Sequence, residues 1–342
     1  MEFDRRPGPG VDIIRDVNDR LPEYLSLEAL DRTILTAFAE DLGEGDGSVD
    51  LEIENVNLQS GDLTTIWTVP ASAEGSGRLE AKQNGVLAGT VVATRVFQLF
   101  DNNLRIDWLY GDRDSVRDGD LLARIHGALR SILTAERTAL NFLQRMSGIA
   151  TAARAFTDLL EGTGTRILDT RKTAPGLRLL DKWAVIIGGG VNHRLGLFDE
   201  VLIKENHIAA AGGLSKALQQ IRVGEQLHSG VPGGSRNPRV RVVVEVSSLD
   251  QIREILTLGG VDRLLLDNMV DVREGVSPDV SRLLAAVKLI DGRILTEASG
   301  NITLETARVI AEAGVDFVSI GALTHSVTAL DLSLLIEPVI SP

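Results

Sequence analysis

The second half of the chain alternates between short apolar runs and longer amphipathic runs. The longer runs place their apolar residues at helical spacing, whereas the short ones are apolar on both faces. Such strands, separated by amphipathic helices, indicate a parallel sheet that is covered by helices. Six strands favour a barrel, or an incomplete one, over an open sheet. The predicted strands are 166–170, 200–204, 240–246, 263–268, 293–299 and 316–322, and the helices between them include 214–226, 249–260, 280–290 and 303–314.

The first half follows a different pattern. A helix is predicted from Ser26, its candidate N-cap, and an acidic, glycine-rich stretch at 44–60 follows as a loop. Residues 65–126 then give short strands broken by Gly and Asp, the first of them at 65–70, with one helix near 93–100. A long helix with a continuous apolar stripe follows at about 129–161. These features predict a compact α+β domain.

The pattern divides the chain into an N-terminal extension (1–25), an α+β sandwich domain (26–148) and an open parallel α/β barrel (149–322). The C-terminal residues 323–342 are expected to pack on the α+β domain. The Gly-, Pro- and Ser-rich segment 227–239 is predicted to be a surface insertion.

Composition narrows the functional classes. The formal net charge of −13 argues against general nucleic-acid binding, but it leaves room for a small anion in a locally basic pocket. The absence of cysteine excludes disulfides, thiolate metal sites and a cysteine nucleophile. The N-terminus has no signal-like apolar segment and no run approaches a membrane span, so we expect a cytoplasmic protein without a membrane contact.

Polar groups and glycines follow nearly every predicted strand. In a parallel α/β barrel the active site forms at the carboxyl ends of the strands. A simpler alternative is that strands end wherever polar residues begin. This alternative does not explain well why Glu245 interrupts an apolar run. A carboxylate at such a position must be paired or must bind a ligand. The strand-end residues are Arg171, Lys172, Lys204, Glu205, Glu245, Asp267, Asn268, Glu297, Ser299, Gly300 and Gly321.

These residue types suggest their ligands. Arginine and lysine side chains suit a carboxylate or phosphate ligand. The candidates here are Arg171, Lys172, Arg194 and Lys204, together with His193. The carboxylates of Glu245 and Asp267 would repel such a substrate unless a divalent ion such as Mg²⁺ lay between them. Two late turns with small residues predict a phosphate cradle, one before a helix with Thr303 as its candidate cap. The cradle residues are Ser299, Gly300, Asn301, Gly321 and Ala322. Together, these residue types suit two ligands, a phosphorylated sugar and a second anion.

At these residues the sequence resembles the quinolinate phosphoribosyltransferase family. The resemblance is ordered and covers about residues 26–335. Its motifs are AERTALNFLQRMSGIAT, DTRKTAPGLRLLDKWAVIIGGGVNHRLGLFDEVLIKENHI, VVVEV, LLLDN, EASGNI and SIGALTHS.

The resemblance implies that quinolinate and phosphoribosyl pyrophosphate (PRPP) give nicotinate mononucleotide, pyrophosphate and CO₂, with Mg²⁺ required. It also implies a homodimer, or a higher oligomer such as a hexamer, in which Arg137 reaches the neighbouring subunit's site. Lys172, Glu245 and Asp267 would be catalytic, and Glu245 and Asp267 would hold the metal. The implied substrate-binding residues are Arg137, Thr170, Arg171, Lys172, His193, Arg194, Lys204, Ser299, Gly300, Asn301, Ile320, Gly321 and Ala322.

The sequence departs from the family pattern at two positions, where Glu205 stands for a frequent Asp and Asn301 for a frequent Gly. Three alternatives remain open: a barrel aldolase that forms a Schiff base on Lys172 or Lys204, a paralogue with another acceptor, and a non-catalytic sugar-phosphate-binding protein. We expect structural roles for His207 and His325, and packing roles for the three tryptophans, Trp67, Trp108 and Trp183.

Overall fold

The computed structural model describes residues 17–43, 61–228, 240–273 and 277–338. Residues 1–16, the acidic stretch at 44–60 and residues 229–239 of the predicted insertion lie outside the described residues. The chain forms two compact units. The first unit comprises the residues up to Arg154, Thr173–Gly189 and the residues from Ser326 onward, and the second comprises Ala155–Lys172 and Gly190–His325. The predicted domain boundaries remain predictions.

The α-helices are α1 (Leu27–Leu42), α2 (Leu63–Thr68), α3 (Thr90–Phe100), α4 (Leu129–Leu159), α5 (Arg178–Ile187), α6 (Glu205–Ala211), α7 (Leu214–His228), α8 (Leu249–Leu258), α9 (Ser281–Ile290), α10 (Leu304–Glu312) and α11 (Ala322–His325). The strands are β1 (Glu74–Ala81), β2 (Gly85–Val86), β3 (Arg105–Trp108), β4 (Ser115–Val116), β5 (Leu121–Ala128), β6 (Arg166–Leu168), β7 (Val201–Ile203), β8 (Val242–Val246), β9 (Arg263–Asp267), β10 (Leu295–Ser299), β11 (Phe317–Ser319) and β12 (Leu332–Pro338). Within the described ranges, no helix is both long enough and apolar enough to span a bilayer.

The first unit is built on an antiparallel sheet with the strand order β12-β1-β5-β3. The C-terminal strand β12 pairs along β1, and β2 and β4 form a separate two-stranded ribbon. Helix α1 begins as predicted, because the Ser26 hydroxyl accepts a hydrogen bond from the backbone N–H of Ala29 at 3.2 Å. The predicted N-terminal α+β fold is therefore confirmed.

The predicted strand at 65–70 is wrong, because this segment lies in helix α2 and its C-terminal end. Asp62 caps the helix by accepting a hydrogen bond from Thr65 N at 2.9 Å. At the other end, the Arg130 guanidinium donates to the carbonyl oxygens of Ile66 and Val69, which a helix end leaves without intrahelical partners. Trp67 on this helix is 77% exposed, so its predicted packing role is also wrong, whereas Trp108 and Trp183 are buried.

The second unit contains the six predicted strands in one parallel sheet, ordered β6-β11-β10-β9-β8-β7. Among the described residues, the two end strands do not pair with each other, and the free side of β6 makes an isolated bridge from Leu168 to Val191. The sheet is thus an open barrel, as predicted. Strand β8 shows why the sheet is stable: its four valines are at most 1% exposed, and burying each contributes about 1.5–3 kcal/mol.

Alternate residues of these strands share the inner face of the sheet, because the side-chain period of a strand is two. On β9 this row is Arg263, Leu265 and Asp267, and on β10 it includes Glu297 and Ser299. Asp267 lies opposite Ser299 in the register of the two strands. The last residue of each row lies at the carboxyl edge of the sheet, and the earlier ones lie deeper inside the barrel.

Candidate active site

The carboxyl ends of the parallel strands open into two adjoining cavities, of about 360 Å³ and about 410 Å³. Both cavities are lined by Thr170, Lys172, Asp267, Ser299 and Ser319, so we treat them as one continuous space, the barrel basin. All of it lies in the second unit. The full lining of the barrel basin is Thr170, Arg171, Lys172, His193, Arg194, Leu202, Lys204, Glu245, Leu265, Asp267, Asn268, Glu297, Ser299, Gly300, Asn301, Ile302, Ser319, Gly321, Ala322 and His325.

Two guanidinium groups are the most informative cations of the basin. Arg194 is 9% exposed, and its pKa is lowered by burial and by the positive charge of Arg171. The Nε of Arg171 is buried and has no hydrogen-bond partner among the described residues. A buried donor without a partner and two neighbouring positive charges are both unfavourable in an empty protein, and an anion would relieve both.

The loop that carries Arg171 and Lys172 is fixed on both sides. The backbone N–H of Lys172 donates to the Thr170 hydroxyl at 3.1 Å. The carbonyl of Lys172 accepts from the Thr324 hydroxyl at 2.9 Å. Thr170 of the DTRKT motif therefore orients the loop, which leaves the basic side chains available for a ligand.

The two predicted metal-binding carboxylates lie on neighbouring strands and line the same cavity. Glu245 forms an ion pair with Lys204, with 3.2 Å between Oε2 and Nζ. Asp267 accepts a hydrogen bond from the Asn268 side-chain amide at 2.8 Å. The interruption of the apolar run of β8 by Glu245 is therefore explained by pairing, as the sequence required.

The carboxylates restrict the kind of metal that fits. In the described part of the chain, no group of three or more His, Asp or Glu side chains is arranged to hold a metal ion. Two carboxylates do fit a Mg²⁺ that takes its other ligands from substrate phosphates and water, which is its usual habit in phosphate-transfer sites. The donor set therefore suits a metal that arrives with a phosphorylated substrate.

The turn after β10 has no room for larger side chains. Gly300 has a φ of +99°, and a Cβ there would lie 2.2 Å from the Asn268 Oδ1. Asn301 follows with a φ of +52°, a left-handed conformation that favours Gly and that Asn adopts more readily than most residues. This explains how the chain tolerates Asn at a position where the family often has Gly.

The turn after β11 is similarly tight. A Cβ at Gly321 would lie 3.1 Å from both the His325 ring and the Lys172 side chain. Helix α10 starts after Thr303, as predicted, and the Thr306 hydroxyl accepts from Thr303 N at 2.9 Å. Two close-packed turns with small residues thus form one wall of the barrel basin.

A separate cavity of about 680 Å³ lies in the first unit, and we call it the α1–α4 cavity. Its cations already have partners: Arg145 forms a bidentate pair with Asp181 at 2.8 Å, and Arg32 pairs with Glu28 at 2.9 Å. Its lining consists of Arg32, Thr33, Thr36, Ala37, Glu40, Asp41, Thr138, Asn141, Phe142, Arg145, Pro175, Gly176 and Leu177.

Comparison with known proteins decides the family. Residues 62–147 match the N-terminal domain of quinolinate phosphoribosyl transferase, and residues 149–335 match its C-terminal domain. The chain belongs to the quinolinate phosphoribosyltransferase family.

Curated and solved members of the quinolinate phosphoribosyltransferase family are similar over most of the chain. The chloroplastic nicotinate-nucleotide pyrophosphorylase [carboxylating] of Arabidopsis thaliana is 46% identical over 283 residues, which are 81% of this chain and 78% of the relative. The probable enzyme of that name from Bacillus subtilis is 37% identical and covers 81% of this chain and 89% of its own. The crystal structure of NadC from Streptococcus pyogenes has a TM-score of 0.78 at 37% identity, and covers 92% of this chain and 99% of its own.

Two residues that the family resemblance singled out do not line the basin. Arg137 lies exposed on α4 in the first unit. Ile320 is buried, and its backbone N–H donates to the Leu168 carbonyl at 2.9 Å. Ile320 therefore contributes to the sheet through its backbone. The other predicted site residues all line the barrel basin.

The basin also contains residues that were not proposed as site residues from the sequence. Glu297 and Ser319 belong to the inner rows of β10 and β11, and strict alternation back from Ser299 and Gly321 would have found them. His325 also lines the basin beside Gly321, and its expected structural role remains a prediction. His207 does act structurally: its Nδ1 accepts from Lys204 N at 3.0 Å at the start of α6.

Proposed function

We propose that this chain transfers the phosphoribosyl group of PRPP to the ring nitrogen of quinolinate. The products are nicotinate mononucleotide, pyrophosphate and CO₂, and the pathway is NAD synthesis. The observation that carries the proposal is the convergence of the family's basic strand-end residues on one basin, where Arg171 retains a buried donor without a partner.

Quinolinate is a dianion, and the basic wall of the basin suits it. The guanidinium groups of Arg171 and Arg194 would each take a carboxylate, since the arginine fork matches carboxylate geometry. Lys172, which lines both cavities, would lie between the two anionic substrates. The mutual repulsion of Arg171 and Arg194 supports this assignment, because a bound dianion would neutralise both charges.

The glycine-rich wall suits the 5′-phosphate of PRPP. Gly300 and Gly321 allow a ligand to approach the backbone closely, and the Ser299 hydroxyl lines both cavities. Asn301 and Ala322 complete this wall, and the His325 ring is placed to contribute a donor. Backbone N–H groups in tight turns are common phosphate ligands.

Glu245 and Asp267 would face the ribose and the pyrophosphate. Their carboxylates would accept hydrogen bonds from the ribose hydroxyls and hold Mg²⁺, which when bound supplies positive charge to the pyrophosphate leaving group. Binding would require the Glu245–Lys204 pair to separate or to include the substrate, since the ammonium lies 3.2 Å from the carboxylate.

The bond changes need no covalent intermediate with the protein. The quinolinate nitrogen forms a bond to ribose C1 while the bond from C1 to pyrophosphate breaks, through a transition state with positive charge on the ribose. The C2 carboxylate then leaves as CO₂, its bonding electrons pass to the cationic ring, and a proton adds at C2. Positioning and electrostatic stabilisation by the basin would supply most of the rate.

The proposed assembly is a homodimer in which Arg137 of the partner subunit completes each site. Its exposure on α4 leaves the guanidinium accessible to a second chain. The compartment remains a proposal: we expect a cytoplasmic enzyme, although the plant relatives carry chloroplastic or mitochondrial names.

The direct test is incubation of the purified chain with quinolinate, PRPP and Mg²⁺, with product identification by mass. We expect nicotinate mononucleotide with quinolinate, none with nicotinate as acceptor, and none after chelation of Mg²⁺. Equal turnover of nicotinate would contradict the assigned acceptor, and PRPP binding without product would favour a binding protein.

A Schiff-base aldolase is an enzymatic alternative from a different reaction class. It would use Lys172 or Lys204 but would leave Arg171, Arg194 and the carboxylates without a role. Borohydride treatment in the presence of a carbonyl substrate should not attach that substrate to the chain, and a stable adduct on either lysine would overturn the proposed mechanism.

A further inference from the structure

Below the floor of the barrel basin lies a set of charged side chains to which the proposed chemistry gives no role. Glu200, Arg263 and Glu297 are 2%, 4% and 0% exposed. Glu297 also lines the basin from below, whereas Arg263 lies at the start of β9, deeper in the barrel. We call these three residues the buried charge cluster.

The cluster is closely connected. The Arg263 guanidinium lies between the two carboxylates, with 2.8 Å from Nε to Glu297 Oε2 and 2.9 Å from Nη2 to Glu200 Oε1. The other oxygen of Glu297 accepts from the Ser319 hydroxyl. The guanidinium carbon lies 5.6 Å from the centre of the Phe317 ring, a cation–π distance.

The buried charge cluster encloses His193 on both sides of its ring. The ring Nδ1 accepts a hydrogen bond from the backbone N–H of Arg194 at 2.7 Å, and it lies 3.3 Å from Glu200 Oε1. The ring Nε2 lies 3.5 Å from Glu297 Oε1 and 3.4 Å from Arg263 Nη2. The ring is thus held from both sides, by the Arg194 N–H and Glu200 at Nδ1 and by Glu297 and Arg263 at Nε2.

The same cluster holds the next residue. The Nη1 of Arg194 donates to the backbone carbonyl of Glu200 at 3.1 Å. The backbone N–H of His193 donates to Asp169 at 2.8 Å, which fixes the main chain of this pair from a third side. The positions of His193 and Arg194 thus both depend on Glu200, whose carboxylate faces the ring and whose backbone carbonyl accepts from the guanidinium.

Stability alone does not account for charges in this position. Replacing a buried ion pair by apolar residues of similar volume is often neutral or stabilising, because desolvation offsets much of the attraction. Burial accordingly raises the pKa of Glu297 and of Glu200, with Arg263 opposing the rise. Because the cluster side chains surround a predicted ligand-binding residue, His193, their clearest use is in positioning it.

We propose that Glu200, Arg263 and Glu297 are positioning residues that hold the His193 ring, and with it the adjoining Arg194, in place for the acceptor substrate. The identity of that substrate rests on the proposed function. The cluster therefore acts on quinolinate binding and leaves the phosphate-binding wall of the basin unaffected.

The test is Glu297→Gln, with Thr296→Val as its matched control. Thr296 is the neighbouring residue of β10, is 3% exposed, and exchanges hydrogen bonds with Asp316 instead of the cluster. In Glu297→Gln we expect kcat/KM for quinolinate to fall by about 100-fold, mainly through KM, as expected for a misplaced binding group. The KM for PRPP should stay within about twofold of wild type in both variants, as for independent sites.

A second readout does not depend on turnover. In ¹⁵N-histidine-labelled protein, the His193 signals, identified by their loss in His193→Gln, should be the same in wild type and in Thr296→Val. They should shift in Glu297→Gln. Unchanged signals and an unchanged quinolinate KM in Glu297→Gln would overturn the proposal, as would equal impairment of both strand variants.

Ser319→Ala provides the same test with a smaller change, should Glu297→Gln not fold. It removes only the hydroxyl that donates to Glu297. We expect a rise in quinolinate KM with the same shift of the His193 signals, and the absence of both would overturn the proposal. If wild type made no nicotinate mononucleotide, the proposed function would fail, yet the His193 signals would still report on the cluster.

Discussion

The two largest spaces described here, the α1–α4 cavity and the barrel basin, differ in what their arginines do. In the α1–α4 cavity, Arg145 makes two 2.8 Å contacts to the fully buried Asp181, and Arg32 pairs with a neighbouring glutamate. In the barrel basin, Arg171 has a buried nitrogen without a partner among the described residues and lowers the pKa of Arg194. The arginines of the α1–α4 cavity form ion pairs, whereas Arg171 of the basin has a buried Nε without a partner among the described residues.

The two spaces are of similar size, so the pairing of their charges distinguishes them better than their volume does. The charges of the α1–α4 cavity stabilise the fold. The barrel basin contains a buried arginine nitrogen that pairs with no group of the described residues. Removing an arginine should therefore affect unfolding in the first case and catalysis in the second.

The largest effect is expected for Arg145→Ala. It leaves Asp181, which is 0% exposed, as an uncompensated buried charge. We expect a loss of about 3–5 kcal/mol in the free energy of unfolding, measured by urea denaturation. A loss below about 1 kcal/mol, the range of a surface pair, would show that this pair does not stabilise the first unit.

Arg171→Ala should show the opposite behaviour. We expect a loss of about 1.5–3 kcal/mol in transition-state binding, which is roughly 10- to 100-fold in kcat/KM for quinolinate. The urea midpoint should not fall, because the variant removes a charge that repels Arg194. Full activity in this variant would show that Arg171 does not bind the acceptor.

Gly300→Ala probes the phosphate-binding wall. The new Cβ would meet the Asn268 side chain at 2.2 Å, at a φ of +99°. We expect a cost of about 1–3 kcal/mol from backbone strain, together with a raised KM for PRPP. Gly162→Ala is the control, since Gly162 has a φ of +82° but no atom within 4 Å of an added Cβ. An unchanged KM for PRPP in Gly300→Ala would place the phosphate elsewhere.

The smallest effect is expected for Arg32→Ala, which removes an exposed i,i+4 pair in the α1–α4 cavity. Such pairs contribute about 0.3–0.5 kcal/mol. It also removes one positive charge, as Arg171→Ala does, so it is the charge-matched control for that variant. A comparable loss of kcat/KM in Arg32→Ala would mean that the assay reports overall charge and not the basin.

The sequence alone predicts those parts of the molecule that are determined by local or periodic residue patterns. The six barrel strands and the cap at Ser26 follow from apolar runs and one side-chain hydrogen bond. The strand-end cations could be found because all parallel strands end at one edge of the sheet. The prediction of a strand at 65–70 was wrong because a remote residue, Arg130, donates hydrogen bonds to the free carbonyls at the end of a helix. The β-branched residues of this segment would not favour a helix on their own.

The buried charge cluster could not be assembled from sequence for a different reason. Arg263 and Glu297 lie 63 and 97 residues after Glu200 in the sequence. Each of the three residues stands within an ordinary strand-like pattern or just before one. The pairing of β9 with β10 and the position of Glu200 just before β7 bring these side chains together only in the folded sheet. Pairing between buried groups is a property of the tertiary fold.

A crystal structure of the quinolinate complex tests the account most directly. The two carboxylates of quinolinate should lie in the barrel basin, with oxygens within about 3.2 Å of nitrogens of Arg171 and Arg194. Quinolinate bound in the α1–α4 cavity, or in the barrel basin with its carboxylates away from both guanidinium groups, would contradict it.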